Sequence, residues 1–146
     1  MSACATPKAY PACSYLVGRE KIREYADAVG ETDPVYFDLA AARAAGYSDL
    51  VAPPMFAAVY SRMAVAQPLL DPEVGIDFAR MVHGAQEFEW ERPATAGEEL
   101  FTTAAVKEIS ERGELEFFVI ETVTSDAAGE RICRGTWTHI VRKGRA

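Results

Sequence analysis

The chain has no long apolar run. Its longest, Leu50–Tyr60, is interrupted by Pro53 and Pro54. It is about half of the ~20 residues that a membrane-spanning helix needs, so no span is expected. Positive charge is in the minority: 15 Lys and Arg face 22 Asp and Glu, a formal net charge of −7. That balance argues against a protein that tracks a nucleic-acid backbone, although a local basic site for an acidic ligand stays open. Cysteine is scarce. Cys4, Cys13 and Cys133 are an odd set without paired spacing, which fits reduced thiols in the cytoplasm rather than a disulfide framework. No cluster has metal-ligand spacing. No glycine-rich phosphate loop occurs, and the Gly-x-Ser-x-Gly pattern is missing. Neither a metal nor a cofactor is expected. Lys8 is not followed by an apolar stretch, so no signal peptide is read.

What is present is an ordinary globular composition: 146 residues, 49% hydrophobic and 25% charged. One domain over residues 1–146 with a real hydrophobic core is expected. Its centre is Val51–Pro68, VAPPMFAAVYSRMAVAQP. Pro54 suits a first helical position, where a missing N–H costs nothing, and Pro68 is expected to stop the helix. Met55, Val59 and Met63 form one stripe, and Phe56, Tyr60 and Ala64 the next. So wide an apolar surface predicts a helix buried on most sides.

Met1–Ala12 reads as a loose leader and Ser14–Val17 as a short strand. Glu20–Val29 has Ile22, Tyr25, Ala26 and Val29 at helical spacing, with Gly30 as its cap. Asp38 can cap a short helix, Leu39–Ala45, stopped by Gly46. Beyond Pro68 and a loop the period changes to that of strands. Met81–Trp90 is the first, with Val82, Phe88 and Trp90 on one face by parity. Leu100–Ile109, Leu115–Thr124 and Arg131–Val141 follow. The third long strand is apolar on both faces around Phe117–Ile120, which predicts a central position. The tail Lys143–Ala146 is expected to fray. Helices first and antiparallel hairpins later make an α+β arrangement. A sheet curled round one helix keeps exposed edges, so a dimer is expected.

This order, with YLVGREKIREYADAVGETDPVYFD, the LVAPPMF helix entrance and VHGAQEFEWERPATAGEEL, resembles the MaoC-like dehydratases. The resemblance is to the N-terminal type of domain, as in the A subunit of bacterial (3R)-hydroxyacyl-ACP dehydratases. It implies a hot-dog fold, an antiparallel sheet wrapped round a long helix. The catalytic members carry Gly-Asp-x-Asn-Pro-x-His, whose Asp and His handle protons and water at an acyl thioester. Here Gly30 and Pro34 match, while Glu31, Asp33 and Tyr36 stand where Asp, Asn and His are expected. A second signature, His-Gly-Met, opens the central helix, and its Gly N–H resembles an oxyanion donor. The corresponding residues are Pro53, Pro54 and Met55. Tyr36 and Pro54 are 18 positions apart (54 − 36), as the paired His and Gly are in a typical catalytic relative.

What the resemblance implies is an accessory, substrate-shaping subunit of a (3R)-hydroxyacyl-ACP or -CoA dehydratase, an enoyl hydratase in reverse, in cytoplasmic fatty-acid metabolism. Glu31, Asp33 and Tyr36 would be the altered catalytic positions. Pro54, Met55, Phe56, Tyr60 and Met63 would line an acyl channel or face the partner. A partner hot-dog subunit would supply the intact Asp and His. His83 and His139 read as hydrogen-bonded strand residues. Three alternatives stay open: a self-sufficient homodimeric hydratase using Glu31 or Asp33, a non-enzymatic acyl-thioester-binding module, and a hot-dog thioesterase.

Overall fold

The computed structural model describes residues 8–144. Its elements are β1 (Cys13–Leu16), α1 (Arg19–Ala28), α2 (Leu39–Ala44), α3 (Ala57–Leu70), β2 (Met81–Trp90), β3 (Glu99–Arg112), β4 (Leu115–Ser125) and β5 (Arg131–Arg142). The strands form one antiparallel sheet in the order β1-β3-β4-β5-β2. β4 is the middle strand, as its doubly apolar pattern implies. α3 packs across β3 and β4. This is an α+β hot-dog fold.

Local sequence explains where the helices stop. Gly30 is at φ +76°. Its N–H donates to Asp27 O at 3.1 Å, and Glu31 N–H donates to Ala26 O at 2.8 Å. These two bonds satisfy carbonyls that the end of α1 leaves free. α2 begins where Asp38 Oδ1 accepts from Ala41 N–H at 2.7 Å. Both boundaries lie within a residue of the pattern in the sequence.

α3 departs from expectation in two respects. It opens with a 3-10 turn, Pro54–Phe56, and continues through Pro68 to Leu70. Pro68 removes one backbone bond, but it lies in the last turn, where little helix remains to break. Its ring is fully buried, which offsets the loss. The helix is also buried on one side only. Phe56, Ala57, Tyr60, Ser61, Ala64 and Val65 face the sheet side, whereas Met55 is 46% and Met63 58% exposed. The expected two stripes are real, and only one of them is covered within this chain.

Strand parity holds in β2 from Gln86 onward and fails before it. Register slips between His83 and Ala85, at a bulge on Gly84. An extra residue turns every earlier side chain to the opposite face. Val82 therefore does not share a face with Phe88, and it is exposed while Phe88 is buried. A Cβ at Gly84 would lie 2.6 Å from Ile140 Cδ1, so any larger residue there would have to displace the Ile140 side chain.

The expected loose leader, Met1–Ala12, and frayed tail lie partly outside the described residues. Within them, the leader is tied down: Lys8 Nζ lies 2.6 Å from Asp71 Oδ2, and the Tyr10 hydroxyl donates to the same oxygen at 2.7 Å. Lys143 N–H likewise donates to Glu114 O at 2.8 Å.

On the inner face of β5, a Cβ at Gly135 would lie 2.5 Å from Thr122 Oγ1 and 2.8 Å from Phe88 Cε1. Gly135→Ala should therefore destabilise the fold by about 1–3 kcal/mol through overpacking. Urea titration would show a lower midpoint, and an unchanged midpoint would count against this packing.

Candidate functional site

Three loops meet beside the start of α3. The first leaves α1 at Gly30 and forms a 3-10 turn, Pro34–Tyr36, because Asp33 Oδ1 accepts from Val35 N–H at 3.1 Å. The second is Leu50–Ala52, fully inside the protein. It is held by Val51 N–H to Val35 O at 3.1 Å, Ala52 N–H to Ala94 O at 2.8 Å and Ala96 N–H to Leu50 O at 2.9 Å. The third follows β2. There Arg92 Nη2 lies 2.7 Å from Glu98 Oε1 and 2.9 Å from Asp126 Oδ2, and Thr95 N–H donates to Glu98 Oε2 at 2.7 Å. Burial pushes the Glu98 carboxyl up, but hydrogen bonds from Arg92 and Thr95 outweigh it and hold Glu98 below its ordinary value.

Between these loops lies a cleft of about 670 Å³, lined among others by Asp33, Tyr36, Tyr47, Pro54, Trp90 and Arg92. Trp90 Nε1–H donates to Pro54 O at 2.9 Å, so the end of β2 is fastened to the first residue of the helix entrance. The size is that of a small-molecule site.

The structure brings Asp33, Tyr36 and Pro54 to this cleft. Glu31 goes elsewhere: it lines a separate depression of about 350 Å³ with Tyr25, Val29, Pro53, Pro54 and Met55. Pro54 touches both hollows. Phe56 and Tyr60 are buried in the core, and Met63 lies on the open face of α3. Sequence reasoning gave no role to Tyr47, Trp90 or Arg92. The signal for the last two was the Trp-Glu-Arg-Pro run ending β2, which places an aromatic and a cation at a strand mouth.

Burial pushes the Tyr36 hydroxyl above its ordinary range, and the charges of Glu31 and Asp33 push it further. It is a neutral hydrogen-bond donor near neutral pH, not a base. Pro54 has no N–H, and the next-but-one amide, Phe56 N–H, is bonded to Pro53 O at 2.9 Å. Neither histidine lines either hollow. His83 is exposed on β2, with its ring 5.1 Å from that of His139. Asp33 has a plain structural task as the cap of the 3-10 turn.

His139 is only 3% exposed, and burial, helped by His83, pushes its imidazole down to about 4. A histidine kept neutral in the fold charges more readily in the unfolded chain. Its contribution is complete above the unfolded value of roughly 6.5 and is lost as pH falls toward the folded value. Between pH 7.5 and 5 the fold should lose about 1–2 kcal/mol from this group after allowance for screening. Asp49, held at about 2 by Arg19, acts only in a more acid window. Urea titrations at both pH values test this: in His139→Gln the pH difference should shrink by that amount.

The comparisons place this hot-dog sheet, with its loop cleft at the mouth of the central helix, among dehydratase domains. Residues 7–134 match the family described as FAS1-like, dehydratase domain region, and the chain belongs to that family. It is 46% identical over 132 residues to a UPF0336 protein of Leifsonia xyli subsp. xyli, covering 90% of this chain and 89% of that one. A UPF0336 protein of Streptomyces coelicolor is 40% identical over 133 residues, 91% of this chain and 88% of that one. Among solved structures, the (3R)-hydroxyacyl-ACP dehydratase HadBC complex of Mycobacterium tuberculosis superposes with a TM-score of 0.81 at 27% identity, over 92% of this chain and 94% of that one. A MaoC-like dehydratase superposes with a TM-score of 0.82 at 31% identity, over 94% of this chain and 42% of that one. Among the described residues no helix is long and apolar enough to cross a membrane.

Proposed function

We propose that this chain is the accessory, substrate-shaping subunit of a cytoplasmic (3R)-hydroxyacyl-ACP or -CoA dehydratase, and that a second hot-dog subunit supplies the catalytic Asp and His. The observation that carries this reading is the cleft itself. The positions matching the dehydratase signature present a neutral phenol, a capping aspartate and a proline, with no imidazole among the lining residues. Such a site can enclose an acyl thioester and donate one hydrogen bond, but it holds no histidine to move a proton.

A partner is supported by what the chain leaves uncovered. β2 is an edge strand with exposed Val82 and Trp90, and α3 turns Met55 and Met63 outward. An open edge of ten residues invites strand pairing. The HadBC structure is itself described as a complex.

The test is co-expression with a hot-dog protein carrying Gly-Asp-x-Asn-Pro-x-His. A complex stable to gel filtration, with 2-enoyl thioester hydration well above that of the partner alone, is expected. A chain that stays monomeric by light scattering and ignores the partner would remove the accessory role.

A further inference from the structure

β2 and β5 place two histidines side by side on the inner face of the sheet. His83 is the register partner of His139, and their ring centres are 5.1 Å apart with the planes at 72°. The bulge on Gly84 is what turns His83 to this face. The two are 56 positions apart in the chain (139 − 83), so no metal-ligand spacing announces them. The pair is unequal. His83 is exposed on the edge strand, whereas His139 is buried, and its Nδ1 has no hydrogen-bond partner among the described residues. The hydrogen-bonded strand residue expected there is thus not fully bonded. Phe118, beside His139 on β4, offers no polar atom. In the next row on the same face, Gln86 pairs with Trp137. Gln86 Nε2 donates to Thr136 O at 3.3 Å, and its Oε1 is the other buried side-chain atom left unpaired among the described residues.

A buried polar atom left unpaired is costly, and native chains keep few of them. An edge-on ring contact accounts for the 5.1 Å spacing of the two rings, but it gives Nδ1 nothing to bond. A metal ion accounts for both. Two imidazoles on one tetrahedral ion, each bonded at about 2.0–2.1 Å, hold their ring centres about 5 Å apart. Burial keeps the His139 imidazole uncharged, the form that ligates a metal. His83 is exposed, so rotation of its side chain can bring a ring nitrogen to the same point. Among the described residues no three His, Cys, Asp or Glu side chains gather at one place. Water therefore fills the remaining positions, with Gln86 Oε1 as a further oxygen. Two imidazoles with oxygen ligands suit zinc, nickel or copper rather than magnesium or calcium.

We infer that His83 and His139 form a two-histidine site for a divalent transition-metal ion, on the inner face of the sheet at its β2 edge. The ion fastens the edge strand to β5 and gives the orphaned Nδ1 its partner. The site is separate from the cleft, which neither histidine lines. It also stands apart from the accessory-subunit reading, because both ligands belong to this chain.

Titration of the whole, untagged protein, first stripped with a chelator, tests the assignment with Zn²⁺ by calorimetry and with Co²⁺ by absorption. Saturable binding of one ion per chain is expected. Loss of an outer-shell partner typically costs roughly tenfold or more in metal affinity, so His83→Gln, which removes a ligand, should weaken binding by at least about that much. His83 is exposed, so this variant should keep the fold, and a thermal melt without metal checks that it does. His139→Gln should weaken binding likewise. The melting temperature of the unmodified protein should rise with Zn²⁺ concentration, and the rise should shrink in His83→Gln. The cobalt complex should show the visible absorption of nitrogen and oxygen ligands without a thiolate charge-transfer band. Binding should persist in the Cys4→Ser, Cys13→Ser double variant. No saturable binding, binding untouched by His83→Gln, or a thiolate band that disappears with Cys4 and Cys13 overturns the inference.

Discussion

Purified alone, the protein is expected to show no appreciable hydration of short 2-enoyl-CoA substrates. The reaction needs a base near the α carbon, an acid for the β hydroxyl and stabilisation of the enolate oxygen. Tyr36 is held neutral by burial and by the charges of Glu31 and Asp33, so it cannot relay a proton as imidazole does. Glu31 lies in the other hollow, and the extra methylene relative to Asp does not bring it into the cleft. Pro54 has no N–H for the thioester oxygen. The loss of one oxyanion donor typically costs about 10²–10³ in turnover. Loss of acid–base help typically costs about 10²–10⁴, and such losses do not simply multiply.

The measurement is a spectrophotometric hydration assay on the pure chain, with and without partner. Robust turnover by the chain alone, abolished by Glu31→Gln, would overturn the accessory role and favour a self-sufficient hydratase. The restoration Glu31→Asp, Asp33→Asn, Tyr36→His and Pro54→Gly is expected to give weak activity at most. Asn can keep the cap at residue 33, but a displacement of about 1 Å at the reacting groups can cost 10²-fold.

Much of this architecture can be read from periodicity. β2 begins at Met81 and ends at Trp90, where strand-period residues begin and end, and the doubly apolar run in β4 announces the middle of the sheet. Side-chain direction is harder to read wherever one residue breaks the period. The bulge at Gly84 turns Val82 outward, and it depends on a close contact with Ile140 that no local pattern contains. Pro68 sits within α3 because its ring finds buried packing, which is again tertiary. The proposed departure from the dehydratase signature rests on the sequence alone, on the spacing that sets Glu31, Asp33, Tyr36 and Pro54 at its positions. Their division between two hollows is not legible there. It depends on the Asp33-capped turn and on the bond from Trp90 to Pro54 O, which joins residues 36 positions apart.

Phe56→Ala should cause the largest loss of stability of any single truncation on α3. Phe56 is fully buried, and its ring meets three others edge-on. These are Tyr15 of β1 at 6.1 Å, Tyr25 of α1 at 5.4 Å and Tyr60 of α3 at 6.3 Å. One side chain thus joins the first strand, the first helix and the central helix. Truncating a buried phenylalanine costs about 3–5 kcal/mol, and each lost aromatic pair adds roughly 0.5–1.5 kcal/mol at most. A domain has about 5–15 kcal/mol in all, so the variant should melt roughly 10–15 °C lower. Met63→Ala is the matched control, because its side chain lies on the open face of the same helix. In the isolated chain it should change stability by no more than about 0.5 kcal/mol. If a partner covers that face, the same change should weaken the complex while leaving the melt of the free chain alone. A Met63 variant as damaging as the Phe56 variant in the free chain would mean that the outward face of α3 is already covered by this chain, and the case for a partner there would fail.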